Sequence, residues 1–166
     1  MRQTTMEKNF DTFDYEIKRI RYENSYTHGD DFLRCVFMIN GKDIYEIIDE
    51  VLKGKGAYHH TTLYDLWSYD LNTQHQPEKI HPLICSCDTL ECGNITVKIT
   101  ENQESIIWNN FYQGDAMLNN YDDDDDNYDK EENFRIEYLN LSFEFEKKDY
   151  KQKMEELKKI SQALNL

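Results

Sequence analysis

The sequence concentrates cysteine in one short stretch, because three of the chain's four cysteines, Cys85, Cys87 and Cys92, lie within eight positions. Thiolate sulfur is a preferred zinc ligand, and His81 lies close enough in sequence to supply a fourth ligand. Structural zinc sites usually take their ligands in closely spaced pairs, and the second pair is missing here. Two interpretations follow: a zinc site built from these four residues, or buried reduced cysteines at the start of a strand.

Other groups that could do chemistry are scattered along the chain. Further candidate metal ligands are Cys35, His59, His60 and His75. The spacing of Cys85 and Cys87 lacks the two intervening residues and the helix N-terminus that lower a thiol pKa in redox motifs. His59 and His60 adjoin two threonines, but no carboxylate is fixed beside them by spacing, which is more typical of surface histidines than of catalytic ones. We therefore expect no catalytic residues, no enzyme activity and no cofactor unless the cysteines hold zinc.

Acidic charge dominates the composition, with 33 acidic against 19 basic side chains and a formal net charge of -14. A phosphate-binding face needs concentrated Lys and Arg, so we expect no nucleic-acid partner. The acidic groups are densest in a predicted loop at about 115–133, which lacks the spaced ligands of an EF-hand. This loop either aids solubility or docks a basic partner. Its candidate partner-binding residues are Asp122, Asp123, Asp124, Asp125, Asp126, Asp129, Glu131 and Glu132.

The N-terminal residues hold no apolar core of the kind that a signal peptide requires. No later stretch approaches the ~20 apolar residues of a membrane span. We therefore expect a cytoplasmic protein without a membrane partner. In that compartment thiols stay reduced, so the cysteines indicate structural thiols, a metal site or redox chemistry before disulfides.

Hydrophobic periodicity predicts an α+β fold. Apolar patterns predict one hairpin between about 15 and 39, a second between about 95 and 108, and a later strand whose phase switches near Tyr138. An N-cap at Asp43 and an apolar stripe predict a helix at about 43–53, and a second stripe predicts one at about 149–164. A short helix is expected around 63–69. No repeat or linker interrupts the chain, so we predict a single domain, 1–166, with the two main helices packed on an antiparallel sheet of about five to six strands.

The cysteine stretch also carries a resemblance to a known group of proteins. The pattern is Cys-x-Cys, a third Cys, then a hairpin ending in Trp-x-x-Phe, at Cys85, Cys87, Cys92, Trp108 and Phe111. It resembles small, uncharacterised bacterial proteins, some of which look like immunity proteins encoded beside polymorphic or contact-dependent toxins. Members usually have glycine where this chain has Asp88 and Glu91. The resemblance covers about thirty residues.

The resemblance implies a protein that neutralises a toxin by binding it. Many such toxins are small basic nucleases, and charge complementarity speeds association with an acidic inhibitor. The leading hypothesis is an immunity protein whose acidic loop masks the active site of a cognate basic toxin. Two alternatives stay open: a zinc-binding domain or metalloenzyme that uses Cys85, Cys87 and Cys92, and an acidic DNA-mimic regulator. The sequence leaves the oligomeric state open.

Overall fold

The computed structural model describes residues 9–22, 33–67, 79–87, 93–114 and 137–164. The elements in these ranges are β1 Phe13–Arg19, β2 Leu33–Ile39, β3 Lys42–Asp43, α1 Ile44–Leu52, β4 Tyr58–His60, β5 Lys79–Cys85, β6 Asn94–Glu101, β7 Ser105–Gly114, β8 Glu137–Tyr138, β9 Phe143–Glu146 and α2 Lys147–Leu164. All pairings between these strands are antiparallel. The predicted α+β fold with two main helices is confirmed.

The first strands of the chain form a three-stranded sheet in the order β1-β2-β3. The predicted first hairpin is confirmed, since Phe13 pairs with Ile39 at one end and Arg19 pairs with Leu33 at the other. Between β2 and β3 lies a two-residue turn, Asn40-Gly41, in which both residues have positive φ. Asn-Gly is favoured in such turns because the left-handed conformation costs these two residues least.

A six-stranded sheet follows, in the order β4-β5-β6-β7-β8, with β9 also paired to β7. The predicted second hairpin is β6 and β7, which pair from Glu101 and Ile106 back to Asn94 and Gly114. The sequence predicts that the alternation of apolar residues changes phase near Tyr138. In the structure, the pairing of the chain with β7 is interrupted there: β8 pairs beside Tyr112, and β9 pairs opposite Trp108. Residues 139–142 lie between the two short strands.

Helix α1 begins and ends where the sequence predicts. Asp43 is the N-cap, and its carboxylate accepts a hydrogen bond from the backbone N–H of Tyr45 over 2.8 Å. At the other end, Lys53 and Gly54 both adopt positive φ, which stops the helix. Ile44 and Ile48 are buried, so the apolar stripe of the helix faces the core.

The segment after β4 differs from the prediction. Residues 63–67 form turns rather than a short helix, and the rest of the predicted helix lies outside the described residues. The hydroxyl of Thr62 accepts from the backbone N–H of Asp65 over 3.0 Å, and the N–H of Leu66 donates to the carbonyl of Thr62 over 3.0 Å, so the segment makes a capped turn. Leu66 and Trp67 are buried, so this segment covers part of the core.

One aromatic cluster joins the two sheets and α2. Trp108 of β7 is fully buried, with the rings of Phe13, Phe37 and Phe145 centred 5.5, 5.3 and 5.4 Å from its own. These contacts are edge-to-face, the geometry that the quadrupoles of aromatic rings favour. The indole N–H of Trp108 donates to the hydroxyl of Tyr150 over 2.9 Å, so the only polar group of the indole is satisfied inside the core.

Helix α2 packs against one side of this cluster. Its buried residues include Tyr150, Met154 and Leu157. Its other faces carry charge, including six lysines between Lys147 and Lys159. Within the described ranges, neither helix combines the length and the apolar character needed to cross a bilayer.

The Tyr150 hydroxyl should stabilise the folded protein more than an exposed tyrosine hydroxyl does. Replacing Tyr150 with Phe leaves the Trp108 N–H buried without a partner, so we expect the free energy of unfolding to fall by about 1–3 kcal/mol. Urea denaturation measures it. Tyr138, which is 64% exposed, provides the control, since Tyr138→Phe should change stability by less than about 0.5 kcal/mol. Equal effects of the two changes would contradict this account of the core.

Candidate functional site

Both sequence features with functional potential emerge at one end of the six-stranded sheet. Successive pairings bring five strand termini side by side, namely Tyr58, Cys85, Asn94, Gly114 and Glu137. The β5–β6 connection contains Cys87 and Cys92, and the β7–β8 connection contains the acidic run. We call this row of strand termini the connection end of the sheet. The two connections are distant in sequence, but both begin and end at the connection end of the sheet.

The eight predicted partner-binding carboxylates, Asp122 to Asp126, Asp129, Glu131 and Glu132, lie outside the described residues. The structure does fix where their segment begins and ends. Gln113, next to the end of β7, pairs with Glu137 at the start of β8. The hydroxyl of Tyr58 donates to Oε1 of Gln113 over 2.6 Å and holds that strand end in place. Both ends of the acidic segment are thus tethered on neighbouring strands.

The cysteine turn is closed by backbone hydrogen bonds. The N–H of Cys85 donates to the carbonyl of Gly93 over 2.9 Å, and the N–H of Ser86 donates to the carbonyl of Ala57 over 2.9 Å. Cys85 and Cys87 are half-buried, whereas Cys92 lies outside the described residues. Among the residues that the structure describes, no three His, Cys, Asp or Glu side chains form a group that could hold a metal ion. The zinc hypothesis therefore stays a prediction.

His81, the predicted fourth zinc ligand, has a different environment from the cysteines. It lies in the same strand as Cys85, four residues earlier, which corresponds to about 13 Å of extended chain. Its Nδ1 is 2.9 Å from the hydroxyl of Thr96, and that hydroxyl donates to Oδ1 of Asn94 over 2.5 Å. All three side chains are buried. Burial lowers the pKa of His81 to about 4, against the opposing effect of hydrogen bonding with Asn94.

The other candidate ligands are also separated from the cysteine turn. Cys35 is fully buried in β2, where burial raises the pKa of its thiol far above the ordinary value. A thiol in such a site behaves as an inert core residue rather than as a nucleophile or a ligand. His75 lies outside the described residues. His59 and His60, in contrast, belong to a second polar cluster.

His60 bridges a tyrosine and a carboxylate. Its Nδ1 lies 2.5 Å from the hydroxyl of Tyr22, and its Nε2 lies 2.9 and 3.0 Å from the two carboxylate oxygens of Asp43. His60 is buried, and the Asp43 side chain is 25% exposed. An ionised carboxylate only accepts hydrogen bonds, so Nε2 of His60 carries a proton and, in the neutral ring, Nδ1 accepts from Tyr22.

We call Tyr22, His60 and Asp43, together with the two side chains that pack on Tyr22, the Tyr22 cluster. The ring of His59 stacks on Tyr22 with centroids 3.7 Å apart, and the guanidinium of Arg34 lies 4.9 Å from the centre of the same ring. Arg34 is fully buried and donates to the carbonyl of His60 over 3.0 Å. A buried guanidinium on an aromatic face is a stabilising cation–π contact.

The sequence contained His60 and Asp43 but gave no signal that they meet. The Tyr22–His60 and His60–Asp43 contacts span 38 and 17 residues, separations with no helical or strand period. Asp43 was identified only as a helix cap, a role that it also plays. One carboxylate therefore serves both α1 and His60.

Comparison with known proteins finds no matching family model, no matching curated protein and no matching solved structure.

The Asp43 carboxylate should contribute pH-dependent stability. Burial disfavours its charged form, but hydrogen bonds from His60 and the N–H of Tyr45, with attraction to His60 and Lys18, lower its pKa below the ordinary 3.8. Because the folded pKa lies below the unfolded one, the stabilisation is present above pH 3.8 and is lost as pH falls through the folded value. Asp43→Asn keeps a good N-cap but cannot ionise.

We therefore expect the stability difference between the wild-type protein and Asp43→Asn to be largest at about pH 7 and to shrink at about pH 3. Urea denaturation at both values measures it. A difference that is the same at both pH values would show that the charge of Asp43 does not stabilise the fold.

His81 should remain neutral across the physiological range. Because burial lowers its pKa to about 4, its ring resonances should not shift between about pH 8 and about pH 5 in a two-dimensional NMR titration. Titration near 6.5, the ordinary value, would contradict the buried hydrogen-bonded environment.

Proposed function

We propose that this protein is an acidic binding protein that neutralises a basic partner protein, most simply a toxin for which it provides immunity. The observation that carries the proposal is the density of charge in residues 115–133, where nine acidic side chains accompany one lysine. Such a field attracts a basic surface over a Debye length of about 10 Å and raises the association rate by about 10- to 1,000-fold.

The anchoring of the acidic segment supports the proposal. Its flanking strands are neighbours in the six-stranded sheet, and the buried core residue Trp108 lies on one of them. The residues that flank the charged segment are fixed on neighbouring strands, so the segment leaves and rejoins the described fold at one end of the sheet. Directed charge of this kind favours one docking orientation, whereas charge spread over the whole surface favours none.

The connection end also offers groups for short-range contacts. Tyr138, in β8, is 64% exposed and packs against Tyr112 with ring centroids 5.9 Å apart. Tyrosine is enriched among residues that dominate binding energy, because it offers a large apolar surface and one hydrogen-bonding group. In this proposal the acidic segment speeds encounter, and neighbouring aromatic groups slow dissociation.

The test is co-expression with the product of the gene adjacent to that of this protein, followed by purification and measurement of association and dissociation rates. We expect a stable complex, and protection of the host if the partner is toxic. Absence of a complex, together with toxicity that this protein does not relieve, would overturn the proposal.

Charge variants test the role assigned to the acidic segment. Changing Asp122 to Asp126 to Asn should lower the association rate by at least about tenfold at low salt, with a smaller effect on dissociation. A control variant removes the same five charges from exposed positions elsewhere, at Asp14, Glu16, Glu46, Glu104 and Glu155. Equal losses in the two variants would indicate that total charge matters and its location does not.

The zinc and DNA-mimic hypotheses stay predictions, and no described contact favours either. The same purified material distinguishes them. Stoichiometric zinc that is lost on Cys87→Ser would favour the metal site, whereas competition between DNA and this protein for the partner would favour DNA mimicry.

A further inference from the structure

The Tyr22 cluster has the arrangement of an activated hydroxyl, and the proposed binding function does not use it. A carboxylate, an imidazole and a hydroxyl are connected in that order through Asp43, His60 and Tyr22 by bonds of 2.9 and 2.5 Å. In serine hydrolases the same order of groups lets the imidazole take the hydroxyl proton while the carboxylate stabilises the imidazolium that forms. The two ring nitrogens of His60 are occupied in just this sense.

The surroundings favour a negative charge on the Tyr22 oxygen. The guanidinium of Arg34, fully buried, lies 4.9 Å from the centre of the Tyr22 ring. Lys18, Arg19 and Arg21 occupy exposed positions in the four residues before Tyr22, and of these Lys18 is ion-paired with Glu16 over 2.9 Å. In a chain with a net charge of -14, this is a locally basic site, and an anionic reagent is its natural complement.

The site is both fixed and accessible. The stacked ring of His59 and the bond to His60 hold the orientation of Tyr22, whose side chain is half-buried rather than enclosed. Asp43 is fixed in turn as the N-cap of α1. A nucleophile held by its neighbours loses little further freedom when it reacts, which is one requirement for catalysis by positioned groups.

We infer that Tyr22 is a nucleophilic tyrosine that accepts a phosphoryl group from an anionic phosphoryl donor, with His60 as general base and Asp43 as the positioning carboxylate. The oxygen of Tyr22 forms a bond to phosphorus while the bond from phosphorus to the leaving group breaks, and the leaving group departs with that electron pair. The proton of the Tyr22 hydroxyl passes to Nδ1 of His60, and Asp43 stabilises the resulting imidazolium through Nε2.

Arylsulfonyl fluorides test this inference, because their tetrahedral sulfur mimics a phosphoryl centre. In this reaction an oxygen–sulfur bond forms, the sulfur–fluorine bond breaks and fluoride leaves. Peptide mass spectrometry of the full chain gives the labelling rate of each tyrosine. Tyr64 and Tyr138, which are 65% and 64% exposed, are the internal standards. We expect Tyr22 to be labelled at least about tenfold faster than either, since general-base assistance typically contributes about 100-fold or more.

Variants separate activation from mere accessibility. His60→Gln removes the base, and Asp43→Asn removes the carboxylate but keeps the helix cap, so both should slow labelling of Tyr22 by about tenfold or more. Asp49→Asn makes the same chemical change on the same helix outside the cluster and should leave the rate within about twofold. Urea midpoints confirm that the compared variants are folded, and Asp43→Asn decides the matter if His60→Gln does not fold.

The charge of the reagent tests the proposed donor class. A para-carboxybenzenesulfonyl fluoride should give a higher ratio of Tyr22 to Tyr64 labelling than a para-(aminomethyl)benzenesulfonyl fluoride. Preference for the cationic reagent would overturn the assignment to anionic donors. Labelling of Tyr22 no faster than Tyr64, or full labelling in folded His60→Gln and Asp43→Asn proteins, would overturn the inference as a whole.

Discussion

The hydrogen bond and ring contacts of Trp108 are the constraint on which the other elements depend. The indole is fully buried, and the rings around it include Phe13 from β1, Phe37 from β2 and Tyr150 from α2. Each aromatic pair of this kind adds roughly 0.5–1.5 kcal/mol beyond the burial of its area. Because one side chain contacts both sheets and the helix, none of these elements can shift without losing contacts in the core.

Strand β7 transmits this constraint to the connection end. Trp108 lies near the middle of the strand, and Gln113 and Gly114 lie at its end, where β8 pairs and the acidic segment begins. The residues of β7 pair with β6 on one side and with β8 and β9 on the other. A strand held on both edges and anchored by a buried indole is a rigid support for the connection that follows it.

The Tyr22 cluster illustrates how polar groups are kept beside a mostly apolar core. His60 is buried, yet both of its ring nitrogens have partners, and its carbonyl accepts from Arg34. Burial of such groups is tolerated only when their hydrogen bonds are satisfied. The same hydrogen bonds fix the geometry of the cluster. The contacts that stabilise these buried polar groups therefore also set their positions relative to one another. Asp43 shows this most directly, because it caps α1 and orients His60 at once.

The sequence by itself determined the local structure of the protein. The stripe of α1, the cap at Asp43 and the two hairpins follow from local sequence patterns, and the structure confirms them. The helix predicted around 63–69 is observed as a capped turn over 63–67, the described part of that range. Composition also established the acidic balance, which no fold can change.

Only the tertiary structure decided which distant groups meet. His60, Asp43 and Tyr22 are brought together by packing among β4, α1 and the end of the first hairpin strand, and their spacing follows no period that a sequence could display. The shared edge of the cysteine and acidic connections likewise follows from strand register. His81, adjacent to the cysteines in sequence, was directed instead to Thr96 on the next strand. Local patterns specify elements, whereas sites depend on contacts between elements, and those are set by the packing of one shared core.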